Sequence, residues 1–368
     1  MPIFCLKRKI KMPTTFSLCM IVKNEEKTLG RCLDSVAEIV DEIIIVDTGS
    51  KDRTVEIARK YTDKIFFFDW RDDFAAARNY AFSKGTQEYN IWLDADDVIE
   101  PKDKKLFLDL KNNLEPDTDI VMLPYVISVD EQGNPSFHYY RERIIKNSPE
   151  YFWQGRIHEA IVPFGKVIYE DAAVTHKKEY VSDPNRNIRI LEEIKKERDL
   201  TPREEYYYGR ELFEKGKYLQ AIETLEKFLK NPEGWVENKI DGCMVLSKCY
   251  QQNGDVINAF RSLFESFLWE TPRAEVCCEL GRLFLEEGKY LQSIHWYKSA
   301  LEKSDFQSKS GFINEDYYGY IPYMGLCVAY DRLGDKAVAK VYNEMAGLFH
   351  PLSEAYIQNR EYFQVTDK

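Results

Sequence analysis

The first half of the chain alternates short apolar runs with stretches of helical periodicity. Phe16-Ser-Leu-Cys-Met-Ile-Val22 ends in Lys23-Asn24-Glu25-Glu26, and a helical pattern follows through Leu29, Cys32, Leu33, Val36 and Ile39. Glu42-Ile-Ile-Ile-Val46 ends in Asp47-Thr48-Gly49-Ser50-Lys51-Asp52, and Val55, Ile57, Ala58 and Tyr61 continue as a helix. Lys64-Ile-Phe-Phe-Phe68 is a third run, followed by a helix over 72–83 that carries Phe74-Ala-Ala-Ala-Arg78-Asn79. The fourth, Ile91-Trp92-Leu93, stops abruptly at Asp94, Asp96 and Asp97. Short apolar runs bounded by polar residues read as buried strands, and strands alternating with helices imply a parallel, doubly wound sheet. In such a sheet ligands bind beyond the carboxyl ends of the strands. The polar residues that end three of these runs therefore converge on one edge.

The acidic stop carries the sharpest chemistry. Carboxylates are rarely buried unless paired or metal-bound, so these belong where the strand leaves the sheet. Asp94 and Asp96 are one residue apart, and both can reach one hard cation or one cation–phosphate complex. Mg²⁺ and Mn²⁺ prefer such oxygen ligands and often keep substrate phosphates in their shell. The plain alternative is a polar turn, since Asp is a favoured turn residue.

Residues 119–127 and 136–146 alternate as strands joined by the hairpin-like Asp130-Glu-Gln-Gly-Asn134, and Arg141 and Arg143 lie in the second of them. Trp153-Gln-Gly-Arg156-Ile-His158-Glu159 follows, then His176. From about Asp183 strand patterns vanish. Asn187–Arg198 reads as an amphipathic connecting helix, and Thr201-Pro202 as the cap and first position of the next.

Repetition follows. Gly216, Gly254, Gly288 and Gly334 recur at intervals of 38, 34 and 46 residues, each after an apolar helix and each five residues before a small residue: Ala221, Ala259, Ser293 and Ala339. The glycine ends one helix, and the small residue lets a second approach closely. Paired helices near a 34-residue period resemble tetratricopeptide repeats, which stack into a solenoid with a concave face. Lys309–Tyr320 is the insertion behind the longest interval.

The motifs Met20-Ile-Val-Lys23-Asn24-Glu25, Val46-Asp47-Thr-Gly-Ser50-Lys-Asp52, Ala77-Arg78-Asn79 and Leu93-Asp94-Ala-Asp96-Asp97, in this order, resemble the family 2 glycosyltransferases, over roughly residues 14–180. The resemblance implies an α/β GT-A domain, a Rossmann-like, mostly parallel sheet, followed by the all-α solenoid. By position it places the nucleoside against Asn24, Glu25 and Asp47, the diphosphate near Arg78, the cation on Asp96 and the sugar nucleotide nearer Asp94. The His158-Glu159 pair resembles one that closes the site in some of these enzymes. His158 would complete the metal shell or contact the diphosphate, Glu159 would be the general base, and His176 is a weaker ligand candidate. The expected domains are a basic leading segment over 1–13, a catalytic domain over 14–182, a linking helix over 183–200 and a repeat domain over 201–368.

The function implied is inverting transfer of glucose or an N-acetylhexosamine from a UDP-sugar, dependent on Mg²⁺ or Mn²⁺. The layout resembles glycosyltransferases of the sublancin type, which modify Cys or Ser of small secreted peptides. The expected acceptor is therefore Cys, Ser or Thr of a peptide or protein held by the repeats, which would otherwise mediate homodimerisation. A cell-envelope glycan or lipid is the alternative acceptor. A scaffold with working repeats and a decayed transferase domain is the alternative of another class.

Composition narrows the classes. A net charge of −11 argues against general nucleic-acid binding, which needs a basic surface. No run approaches the ~20 apolar residues of a membrane span. Lys7, Arg8, Lys9 and Lys11 precede Met12 without the apolar core of a signal peptide, so the leading segment is either a flexible basic tail or an over-long start. Most of the 8 cysteines sit inside apolar patterns and none forms a C-x-x-C pair, which points to a reduced, cytoplasmic setting.

Overall fold

The computed structural model describes residues 13–178, 183–303 and 311–366; the basic leading residues 1–12 and the first two residues of the expected insertion, 309–310, lie outside them. The described residues fall into two compact units, the first within Met1–Val126 and Tyr140–Ser182, the second within Ile127–Tyr139 and Asp183–Lys368.

The first unit opens with β1 (Phe16–Val22), α1 (Leu29–Val36), β2 (Glu42–Asp47), α2 (Thr54–Ala58), β3 (Ile65–Phe67), α3 (Phe74–Phe82) and β4 (Tyr89–Ile91). It continues through β5 (Asp97–Val98), α4 (Pro101–Asn113), β6 (Ile120–Val129), β7 (Pro135–Lys146), β8 (Val167–Tyr169) and β9 (Val174–His176). The strand order is β3-β2-β1-β4-β7-β6-β9-β5, with β8 on β6. β1 lies parallel to β2 and β4, and β2 parallel to β3. The carboxyl ends of β1, β2 and β4 therefore share one edge, as the sequence pattern implies. Phe16, Leu18 and Met20 on one face and Ser17 and Cys19 on the other are all buried, as expected of a strand covered on both faces.

The chain departs from regular parallel winding after β4. β7 returns antiparallel beside it, in the register Asn90↔Ile145. The fourth strand ends at Ile91, not Leu93, because Trp92 leaves the ladder: its carbonyl accepts from Arg143 Nη1 at 3.1 Å, and its indole N–H donates to the Glu142 carbonyl. The short β5 pairs antiparallel with β9 and sets Asp97 opposite His176. Neither strand stands out in the sequence, since each is too short for a period to show.

In the second unit α5 (Arg186–Glu197) precedes four helix pairs: α6 (Pro202–Glu214) with α7 (Tyr218–Leu229), α8 (Val236–Gln252) with α9 (Val256–Glu265), α10 (Ala274–Glu286) with α11 (Tyr290–Leu301), and α12 (Tyr320–Arg332) with α13 (Lys336–Gly347). α14 (Glu354–Thr366) packs on α13. Thr201 caps α6 through a capping box with Glu204. Gly216, Gly254, Gly288 and Gly334 all take φ between +68° and +87°, the left-handed turn that ends each first helix. Ala221, Ala259, Ser293 and Ala339 are fully buried, which makes this array the tetratricopeptide-like one expected. In the insertion, β10 (Ile313–Asn314) pairs with Phe137–His138, and a turn of 3₁₀ helix at Glu315–Tyr318 packs on α10 and α12. No helix among the described residues is long and apolar enough to cross a membrane, and the seven described cysteines are free and buried.

Candidate active site

The loops at the carboxyl ends of β1 and β2 hold each other. Asn24 sits at φ +57°; its N–H donates to Ser50 Oγ at 2.9 Å and its Oδ1 accepts from the Lys51 N–H at 2.8 Å. The Glu25 N–H donates to Thr54 Oγ1 at 2.7 Å. Asp47 is buried, and its Oδ2 accepts from the N–H groups of Gly49 and Ser50, each at 3.0 Å. Asn24, Glu25 and Asp47 thus form one group, at adjacent strand ends.

A second group gathers around Trp92. Asp73 caps α3 by accepting from the Ala76 N–H at 2.9 Å, and this helix carries Arg78. The Arg78 guanidinium lies 4.7 Å from the Trp92 ring centre and 4.9 Å from that of Trp153. Its Nη2 donates to Asp94 Oδ1 and its Nε to Glu159 Oε1, both at 2.7 Å. Only 7% of the Arg78 side chain is exposed, so this arginine joins two carboxylates from a buried position between indoles. Burial alone would raise the Asp94 pKa, but the charge of Arg78, aided by Arg143 and Arg141, outweighs it and holds the carboxyl below its ordinary range.

The segment carrying His158 and Glu159 is a tight loop closed by the antiparallel pair Gln154↔Ala160. Two of its residues are left-handed, Gly155 at φ +95° and His158 at φ +52°. Asn79 fixes one end, accepting from the Trp153 N–H at 2.8 Å and donating to the Trp153 carbonyl at 3.0 Å. The Phe74 N–H donates to the Arg156 carbonyl at 2.9 Å. The loop is thereby fastened to the start and the middle of α3. A non-glycine residue at positive φ is uncommon and clusters at ligand sites.

The third group is Asp96, Asp97 and His176, whose ligand atoms lie within 4.8 Å of one another. His176 Nδ1 lies 3.6 Å from Asp96 Oδ1. Burial and the neighbouring Asp94 and Asp97 charges raise the Asp96 pKa, against the pull of His176. Burial would depress His176, but hydrogen bonding and charge from Asp97 and Asp96 raise it instead. Crowded carboxylate oxygens beside an imidazole suit a divalent cation, whose charge would offset both the burial and the repulsion that lift Asp96. The donor set therefore fits the group implied by the sequence. Asp96 meets His176 here; His158 is not part of this cluster.

Four residues given no role by sequence reasoning complete the site: Arg143, Glu142, Arg141 and Tyr125. Arg143, fully buried, donates from Nη1 to Asp97 Oδ2 at 3.0 Å. Glu142 pairs with Arg141 through contacts of 3.0 and 3.1 Å and accepts from the Ile161 N–H at 3.3 Å; burial would raise its pKa, but Arg141 holds it low. Arg141 Nη2 also donates to the Glu159 carbonyl at 3.3 Å. Tyr125 bridges Asp97 and His176 at 2.8 Å to each. The available signal was Arg141-Glu-Arg143 running into the apolar Ile144-Ile145, because charges in a buried strand need partners.

Residues 17–173 match the glycosyl transferase family 2. A TPR repeat-containing protein of Synechococcus elongatus is 31% identical over 297 residues, 78% of this chain and 66% of its own length. The prophage-derived glycosyltransferase SunS of Bacillus subtilis is 26% identical over 259 residues, 66% of this chain and 60% of its own. A lipopolysaccharide core biosynthesis glycosyltransferase, LpsC of Rhizobium meliloti, is 29% identical over 169 residues, 43% of this chain and 60% of its own. The chain thus spans about three fifths to two thirds of the length of these relatives.

Proposed function

We propose, from the premise that residues 17–173 form a family 2 glycosyltransferase domain, that this protein transfers a hexose or N-acetylhexosamine from a UDP-sugar to Cys, Ser or Thr of a polypeptide, with inversion. The observation that carries the reading is the meeting of Asp94 and Glu159 on the one buried guanidinium of Arg78, with Asp96 beside His176 two residues further along the same acidic turn.

Asn24, Glu25 and Asp47 would line the nucleoside pocket, where their hydrogen bonds to Gly49, Ser50, Lys51 and Thr54 hold the loops rigid before donor arrives. Asp94 would orient the sugar nucleotide. Asp96 and His176 would hold Mg²⁺ or Mn²⁺, which when bound offsets the charge developing on the departing diphosphate. Glu159 would accept the acceptor's proton, and inversion requires that base on the face opposite the leaving group. Arg78 would fix the separation between donor-side and acceptor-side carboxylates, a task its buried position suits better than gripping the diphosphate. His158, in its strained loop, would contact the diphosphate.

The helix pairs of the second unit and the likeness to the repeat-containing relative and to SunS support a polypeptide acceptor. The similarity to LpsC favours a second reading, an envelope glycan acceptor. A panel of nucleotide sugars is screened by thermal shift with and without Mn²⁺, since donor binding stabilises the native state. The stabilising donor is then offered with peptide and glycan acceptors, and mass gain is read. A panel in which no nucleotide sugar raises the melting temperature would sink the proposal.

A further inference from the structure

We propose that Asp97 is a positioning residue and not a metal ligand: with Arg143 and Tyr125 it forms a buried hydrogen-bond chain that keeps the hydrogen of neutral His176 on Nδ1 and leaves the Nε2 lone pair for a cation. This rests on the reading of Asp96 and His176 as the cation's ligands. Both oxygens of Asp97, whose side chain is fully buried, are engaged. Oδ2 accepts from the Asp94 N–H at 2.9 Å and from Arg143 Nη1 at 3.0 Å. Oδ1 accepts from Tyr125 Oη at 2.8 Å. The Asp97 N–H closes the turn by donating to the Asp94 carbonyl at 3.0 Å. Asp97 thereby shapes the turn on which Asp94 and Asp96 stand.

The same chain assigns the imidazole tautomer. A carboxylate paired with a guanidinium offers only lone pairs, so the single Tyr125 proton points to Asp97. The Tyr125 oxygen is then the acceptor in its 2.8 Å contact with His176 Nδ1, which must carry hydrogen. That leaves the Nε2 lone pair for a metal, the arrangement by which outer partners fix ligating histidines. The chain is rigid at its far end, because Arg143 lies against the Trp92 ring at 3.8 Å and the Tyr125 ring at 4.3 Å and also donates to the Trp92 carbonyl.

The test uses the full chain. Histidine ¹⁵N spectra at mildly alkaline pH read the tautomer directly; with 5 histidines, His176 is assigned by the signal lost in His176→Gln. The parent is expected to show His176 protonated at Nδ1, and Tyr125→Phe to move the proton to Nε2. Mn²⁺ binding in the presence of UDP, followed by electron paramagnetic resonance, should weaken about 10–100-fold in Tyr125→Phe. A parent His176 protonated at Nε2 overturns the inference and needs no variant to fold. Unchanged Mn²⁺ affinity in a folded Tyr125→Phe overturns it as well. A parent that binds no Mn²⁺ overturns the metal reading, while the tautomer still decides whether Tyr125 orients His176.

Discussion

Arg78 holds Asp94 and Glu159 from one guanidinium, at 2.7 Å to each, although these partners lie 16 and 81 residues away in sequence. The contact ties the strand-end turn to the loop that closes the site. Arg78→Met would leave Glu159, whose side chain is 10% exposed, as an uncompensated buried charge. Breaking such a pair costs about 3–5 kcal/mol, and removing both partners costs less. In urea unfolding Arg78→Met should therefore be destabilised, and Arg78→Met with Glu159→Gln should regain part of the loss. Equal losses in the single and double variants would show that the pair is not coupled.

Asp96→Ala should abolish Mn²⁺-dependent turnover. Its apo form should melt at or above the parent temperature, because burial together with the Asp94 and Asp97 charges raises the Asp96 pKa and disfavours its ionised form. Removing it relieves repulsion. Parental turnover in this variant, measured as UDP release, would remove Asp96 from the site.

A pH dependence arises far from the acidic turn, at Glu42. This buried carboxylate accepts from Ser17, Lys64 and Thr86. Burial alone would raise its pKa, but the Lys64, Ser17 and Thr86 hydrogen bonds outweigh that and bring it from 4.5 to about 2. A carboxyl with a lowered folded pKa contributes stability in full above its unfolded value, and the contribution is lost as pH falls through the folded value. Glu42→Gln should be less stable than the parent at neutral pH by about 1–3 kcal/mol, as expected for hydrogen bonds to a charged group. The gap should narrow between pH 4.5 and about 2. Urea midpoints at stepped pH check this, and a gap constant to the lowest pH would contradict it.

In the repeat array, a Cβ on Gly209 would lie 2.6 Å from Leu225 Cγ, so α6 and α7 touch through this glycine. Alanine there would gain about 1 kcal/mol of helix propensity against an overpacking cost of about 1–3 kcal/mol. Gly209→Val adds two methyls and regains less propensity, and should be clearly destabilised. A thermal melt in which Gly209→Val matches the parent would contradict the close approach.

Much of this architecture was legible in the chain. The strand–helix alternation, the polar stops at Asn24, Asp47 and Asp94, the Thr201 cap and the four glycine turns rest on periodicity and short-range turn chemistry. Each of those is decided within a few residues. Arg78 was legible as a helix residue with a charge, but its burial between Trp92 and Trp153 was not. Arg143 signalled only that a charge beside Ile144-Ile145 needs a partner, without saying which, and Tyr125 was unremarkable as a strand residue. Asp97 read only as the acidic neighbour of Asp94 and Asp96, with no role of its own, and its partners at Tyr125 and Arg143 set it apart.

The sequence by itself determined the alternation of the first four strands with helices, the helix pairs and the placing of acidic residues just beyond the fourth strand, because side-chain period and turn preference are local properties. Only the tertiary structure decided that Arg78 joins Asp94 to Glu159 and that His176 stands opposite Asp97. Those meetings depend on the antiparallel return of β7 and on the pairing of β5 with β9. Strand register is a relation between distant segments, and no local pattern encodes it.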